Sequence, residues 1–145
     1  MGRQIYVNLP VSDVERSRSF FEALGFEINL RFSSDQAACV VISDDIYVML
    51  LSESFFKTFT PKPIVNAKET TEVLTCLSCE SRAEVDQLVA KAVELGGRVP
   101  RGVQDMGFMY GHAFEDLDGH IWELMFMDPT AMAQESAAES EENLP

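Results

Sequence analysis

Positive charge, cysteine and long apolar runs are all scarce in this chain, and each shortage closes off a class of function. Only 11 Lys and Arg stand against 24 Asp and Glu, a formal net charge of −13. A nucleic-acid binder needs a basic face to neutralise phosphates, and an anionic membrane surface repels an acidic chain. Neither is an expected partner. No apolar run approaches the roughly 20 residues that a membrane-spanning helix requires. Residues 1–10 hold no long apolar stretch after Arg3, which predicts no secretory leader and a cytoplasmic setting. The three cysteines are Cys39, Cys76 and Cys79, and so low and odd a count predicts reduced thiols. Cys76 and Cys79 have redox or zinc spacing. A redox pair, however, sits at a helix start, where the dipole lowers the thiol pKa. These two lie in the apolar run 73–79, and residues three apart on a strand point to opposite faces. Buried, inert thiols are the expectation.

What the chain does have is enough material for one domain. Its 145 residues are 46% hydrophobic, which suits a globular core. Residues 5–11 are β-rich. Ser12 and Asp13 follow as helix-cap candidates, with Glu15 at capping-box spacing from Ser12. Val14, Phe20, Phe21 and Leu24 form an apolar helix side that stops at Gly25. Strands are expected over 26–32, 37–42 and 47–51. The connection 52–71 contains Pro61 and Pro63 and predicts one helical turn near 54–59. Its Phe55, Phe56 and Phe59 suit a lid, a core plug or a subunit contact. A connection this long often covers a site.

The pattern then begins again. A strand is expected over 73–79, then a cap at Ser81 with Glu84 three residues on. Val85, Leu88, Val89, Ala92 and Leu95 recur at helical spacing before Gly96 and Gly97. A short strand or loop at 98–100 leads to strands at 110–115 and 121–127, joined by a turn at 116–120. The tail 130–145 is rich in Ala, Ser and Glu and predicts a disordered acidic segment. Strand, capped helix and three strands thus occur twice, offset by about 70 residues. The fold expected is α+β over 1–129, with module one at about 4–52 and module two at about 72–128. Paired βαβββ modules can form a curved mixed sheet around a cup, with helices on the outer face. A cup is a natural small-molecule site.

The segment from Leu9 to Phe26, LPVSDVERSRSFFEALGF, and that from Phe114 to Leu124, FEDLDGHIWEL, resemble the first module and the closing hairpin of the vicinal-oxygen-chelate superfamily. That superfamily includes glyoxalase I, bleomycin-resistance proteins and extradiol dioxygenases. The resemblance covers about residues 4–129, and is strongest to a branch described as lactoylglutathione-lyase-like. It implies a divalent metal held by four ligands from the first and fourth strands of each module. Those positions fall on Tyr6, Met49, Leu74 and Glu123. Only Glu123 is an ordinary hard-metal ligand. Leu74 has no donor atom, Met49 is a soft thioether, and a neutral Tyr6 phenol is a poor ligand. Of the two histidines, His120 falls in a turn. Counting back from Asp116 sends Gly111 and Ala113 toward the cup and His112 toward the helix layer, a choice that a one-residue slip would reverse.

No metal and no cofactor are therefore expected. Strand alternation offers Tyr6, Asn8, Tyr47, Met49, Leu74, Cys76, Glu123 and Met125 as cup-facing residues. Phe108, Met109 and Tyr110 are further candidates for contact with a planar or apolar ligand, or for a dimer interface. Glu123 is the one candidate catalytic group, as general acid or base, with a structural hydrogen bond to Tyr6 or Asn8 as the alternative. Trp122 faces the other way and is expected in the core. The function expected is a metal-free binder of a small organic molecule, forming a homodimer as the superfamily often does. The alternative is a glyoxalase-type lyase or isomerase acting through Glu123. Extradiol oxygenation lacks its two-histidine, one-carboxylate iron triad.

Overall fold

The computed structural model describes residues 2–130. The chain runs β1 (Ile5–Val11), α1 (Val14–Ala23), β2 (Glu27–Ile28), β3 (Ala37–Ser43), β4 (Ile46–Ser52) and a short α2 (Glu53–Phe56). It continues as β5 (Leu74–Ser78), α3 (Arg82–Glu94), β6 (Gln104–Asp105), β7 (Met109–Glu115) and β8 (Ile121–Met127). The order is βαβββ twice over, so the fold is α+β with paired modules. Hydrogen bonding places the strands in two four-stranded mixed sheets, ordered β1-β4-β3-β2 and β5-β8-β7-β6. In each, the first and last strands of the module pair in parallel and the rest are antiparallel. The chain divides into two compact units. One runs through Glu72 and takes in the turn Asp116–Gly119; the other holds Val73–Glu115 and the strand after His120. The expected tail, 130–145, lies outside the described residues apart from Thr130.

In the first unit, Asp13 is the residue that caps α1. Its carboxylate accepts the Arg16 N–H at 3.1 Å, while the Ser12 N–H donates to Asp118 Oδ1 at 2.9 Å. Asp118 Oδ2 also accepts the buried Ser17 hydroxyl at 3.2 Å. The Asp-Gly turn of the closing hairpin is thus tied to the start of α1. Gly119 has φ +89°, and a Cβ there would sit 2.9 Å from the Ala67 backbone. No side chain fits that approach. The helix buries Val14, Phe20, Phe21 and Leu24 over β3 and β4. On β4, Val48 and Leu50 are buried while Tyr47 and Met49 alternate with them on the other face.

One expected strand shortens. The strand expected over 26–32 shrinks to Glu27–Ile28, followed by a 3₁₀ turn at Leu30–Phe32. Asn29 Oδ1 accepts the Arg31 N–H at 3.0 Å, and the Ser33 hydroxyl donates to the Asn29 carbonyl at 2.7 Å. Such local bonds compete with a β-ladder. Of the short strand or loop expected at 98–100 the loop forms, with an isolated bridge from Arg98 to Glu115. The short strand lies later, at Gln104–Asp105, against Tyr110 and Gly111. The helical turn expected near 54–59 is present as α2 and a 3₁₀ turn, Lys57–Phe59, with Ser52 as its cap. Phe55 and Phe59 meet edge to face, 5.1 Å between centroids.

The second unit repeats the logic. Ser81 Oγ accepts the Glu84 N–H at 3.0 Å, and Glu84 reaches back to the Glu80 N–H at 3.0 Å. The apolar side of α3, Val85, Val89 and Ala92, is buried against β7 and β8. Trp122 is fully buried and lies parallel to Phe114 at 6.3 Å, as expected of a core residue.

Candidate functional site

The face of the second sheet away from α3 carries its chemistry. Cys76 on β5 is in register with Glu123 on β8, and Glu123 with Ala113 on β7. One pair along, Met125 lies opposite Gly111. Residues paired across strands share a face, so Leu74, Cys76, Met109, Gly111, Ala113, Glu123 and Met125 line one side. His112 takes the helix side, as the count from Asp116 predicts.

Glu123 has a partner that strand periodicity did not reveal. Its Oε2 accepts from Arg101 Nη2 at 2.9 Å, with the two side chains 30% and 26% exposed. Arg101 Nη1 donates to the Gly102 carbonyl at 3.2 Å. Arg101 belongs to an irregular segment pinned at both ends, by the Arg98–Glu115 bridge and by the pairing of Gln104 with Gly111. That anchoring brings the guanidinium over β7 to reach Glu123. The expected hydrogen bond from Tyr6 or Asn8 is replaced by an ion pair within the second unit.

Cys76 is exposed, not buried. The expectation of a buried thiol fails because β5 is an edge strand, with one neighbour to cover it. Partial burial first, and then the Glu123 charge, raise its pKa, while Arg101 pulls the other way. Cys79, half-buried, is pushed up to about 11 by desolvation first and then by Glu84. Both stay protonated thiols near neutrality, so neither has the lowered pKa of a redox centre.

Other expected site residues fall elsewhere. Tyr110 lies on the helix side, where its hydroxyl donates to Asp86 at 2.5 Å under the Arg82 guanidinium, 4.9 Å from the ring centroid. Arg82 also bridges Asp105, at 2.7 and 3.2 Å, and the Gly107 carbonyl. Phe108, half-buried, precedes β7, and its carbonyl accepts the Asp128 N–H at 2.8 Å.

In the first unit, Tyr6 and Asn8 of β1 are in register with Tyr47 and Met49 of β4. The two tyrosine rings stack, 4.8 Å apart and 11° from parallel. Tyr47 donates to the Asp44 carbonyl at 2.7 Å and Tyr6 to Gln4 at 3.2 Å. Burial, then the Tyr6 and Asp44 charges, raise the Tyr47 pKa, so the Tyr47 phenol stays protonated near neutrality.

The donor set does not fit the metal that the resemblance implies. The first unit offers Tyr6 and Met49 at the ligand positions, and Tyr6 is engaged with Gln4. The second offers Leu74, which cannot coordinate, and Glu123, which already carries a guanidinium. Among the described residues no three His, Cys, Asp or Glu side chains gather as a metal site.

A family model for the bleomycin resistance protein-like N-terminal region matches residues 3–43. A hypothetical protein of S. aureus is 34% identical to this chain, covering 87% of it and 95% of that protein, with a TM-score of 0.73. The chain has the fold of the glyoxalase/bleomycin resistance protein/dioxygenase structures. Solved structures at lower identity carry that fold. One is a glyoxalase/bleomycin resistance protein/dioxygenase family enzyme from Burkholderia phytofirmans, at 14% identity and TM-score 0.71 over 87% of this chain and 99% of that one. Another is a glyoxalase-related enzyme from Fulvimarina pelagi, at 18% identity and TM-score 0.72 over 87% and 88%. No curated protein matches.

Proposed function

We propose that this chain belongs to the vicinal-oxygen-chelate superfamily and binds a small organic molecule on the face of its second sheet away from α3, without the superfamily's divalent metal. The observation that carries this reading is the Arg101–Glu123 pair. The one hard donor among the four ligand positions is neutralised by a protein cation. A metal ion approaching Glu123 would have to displace the guanidinium, and Leu74, the other ligand position in the same unit, has no donor atom. The apolar lining from Leu74, Met109 and Met125 suits an organic ligand.

Assignment to the lactoylglutathione-lyase-like branch, a homodimer and a cytoplasmic setting belong to the same proposal. Sequence motifs, the habit of the superfamily and the acidic, thiol-bearing composition support them. Glyoxalase-type chemistry through Glu123 is the less favoured reading, because the donor set does not suit the metal that would stabilise an enediolate.

A fragment screen by amide chemical shifts tests the proposal. Hits are expected to move the amides of Cys76, Ala113 and Glu123 together. A broad panel that leaves these amides still would overturn it.

A further inference from the structure

The Arg101–Glu123 pair also points to the class of ligand, an inference that rests on the proposed function. A guanidinium offers a planar fork of N–H donors. One goes to Glu123 and one to the Gly102 carbonyl. The remaining donors have no acceptor among the described residues, and neither does Glu123 Oε1 have a donor. The pair therefore presents a donor beside an acceptor, on one sheet face, with both side chains partly open to solvent.

The charges of the two groups cancel. A carboxylate ligand would meet Glu123 at close range and a chain of net charge −13 at long range. A cationic ligand would meet Arg101. A neutral ligand with a carbonyl next to an N–H satisfies both partners, the carbonyl accepting from Arg101 and the N–H donating to Glu123 Oε1. On the same face Leu74, Met109 and Met125 supply apolar side chains for an apolar body to meet. We propose that the site recognises a neutral carboxamide or lactam on an apolar group, with Arg101 and Glu123 as its specificity-determining residues.

Three probes with one body separate the possibilities: benzamide, benzoate and N,N-dimethylbenzamide. Binding is followed by the Arg101 Nε–H shift and the β8 amides, with wild type, Arg101→Met, Arg101→Lys and Glu123→Leu, each verified as folded by its amide spectrum. Wild type is expected to prefer benzamide by about tenfold over both others, the cost of leaving one site partner unsatisfied. Arg101→Met is expected to lose the preference, and Arg101→Lys to keep only part of it, because an ammonium lacks the planar fork. In Glu123→Leu the uncancelled guanidinium is expected to turn the preference to benzoate. Equal binding of the three, or wild type favouring benzoate, overturns the ligand class and leaves the binder reading standing. Failure of all three probes and of the wider panel at this face overturns the binder reading and this inference with it.

Discussion

Gly119→Ala should destabilise the protein far more than Gly25→Ala, although both glycines have positive φ. Gly25 sits at φ +104° with nothing within 4 Å of an added Cβ. Alanine there meets only the backbone cost, about 1–2 kcal/mol, offset by up to about 1 kcal/mol from the stiffer unfolded chain. At Gly119, φ is +89° and the added Cβ meets the Ala67 carbonyl carbon and oxygen and the Lys68 Cα, each at 2.9 Å. All three are backbone atoms, so relief requires moving a chain segment, an overpacking cost of about 1–3 kcal/mol beyond the conformational one. The turn that would shift also holds Asp118, and with it the bonds to Ser12 and Ser17. Urea denaturation reads the difference. At a slope of about 2 kcal/mol/M, an extra ~2 kcal/mol lowers the Gly119→Ala midpoint by about 1 M relative to Gly25→Ala. Coincident midpoints would refute the claim that the Asp-Gly motif is retained for this close approach.

Asp118→Ala leaves the Ser12 N–H and the buried Ser17 hydroxyl without their acceptor, and an equilibrium unfolding loss of about 1–2 kcal/mol is expected; a loss near zero would mean that water replaces the carboxylate fully. Native Cys79 should resist alkylation near neutrality despite partial exposure, because the thiolate is the nucleophile and the folded pKa is pushed up to about 11. The same shift makes Cys79 favour the folded state fully below pH about 9. That contribution is lost as pH rises through about 11, so wild type should lose stability relative to Cys79→Ser across that window, and parallel pH profiles would contradict it.

The legible parts of the sequence were those governed by a period or a cap. Gly25, Ser81 and the apolar spacing of Val85, Val89 and Ala92 marked the helices because capping and a 3.6-residue repeat are local physics. The two-residue alternation counted from Asp116 placed His112 on the helix side and Ala113 opposite, and the β7–β8 register agrees. Arg101 escaped because it lies in an irregular stretch, where no period says which way a side chain points. Its one signal was position, a long cation shortly before the strand facing Glu123. The strand expected over 26–32 failed where Asn29 and Ser33 made bonds of their own. The exposure of Cys76 is not legible because hydropathy shows that a strand is apolar but not that it ends up at a sheet edge. Tyr110 is engaged by Asp86 on α3, a partner 24 residues away that no local pattern indicates.

The claim that Arg101 stands where the superfamily uses a metal is tested most directly by metal titration. Purified protein is analysed for bound metal, stripped with a chelator, and titrated with Ni, Zn and Mn, in wild type and Glu123→Gln. No saturable uptake approaching about one ion per chain is expected, and no difference between the two proteins. Tight uptake of about one ion per chain, lost in Glu123→Gln, would contradict it: the carboxylate would then leave Arg101 for a metal.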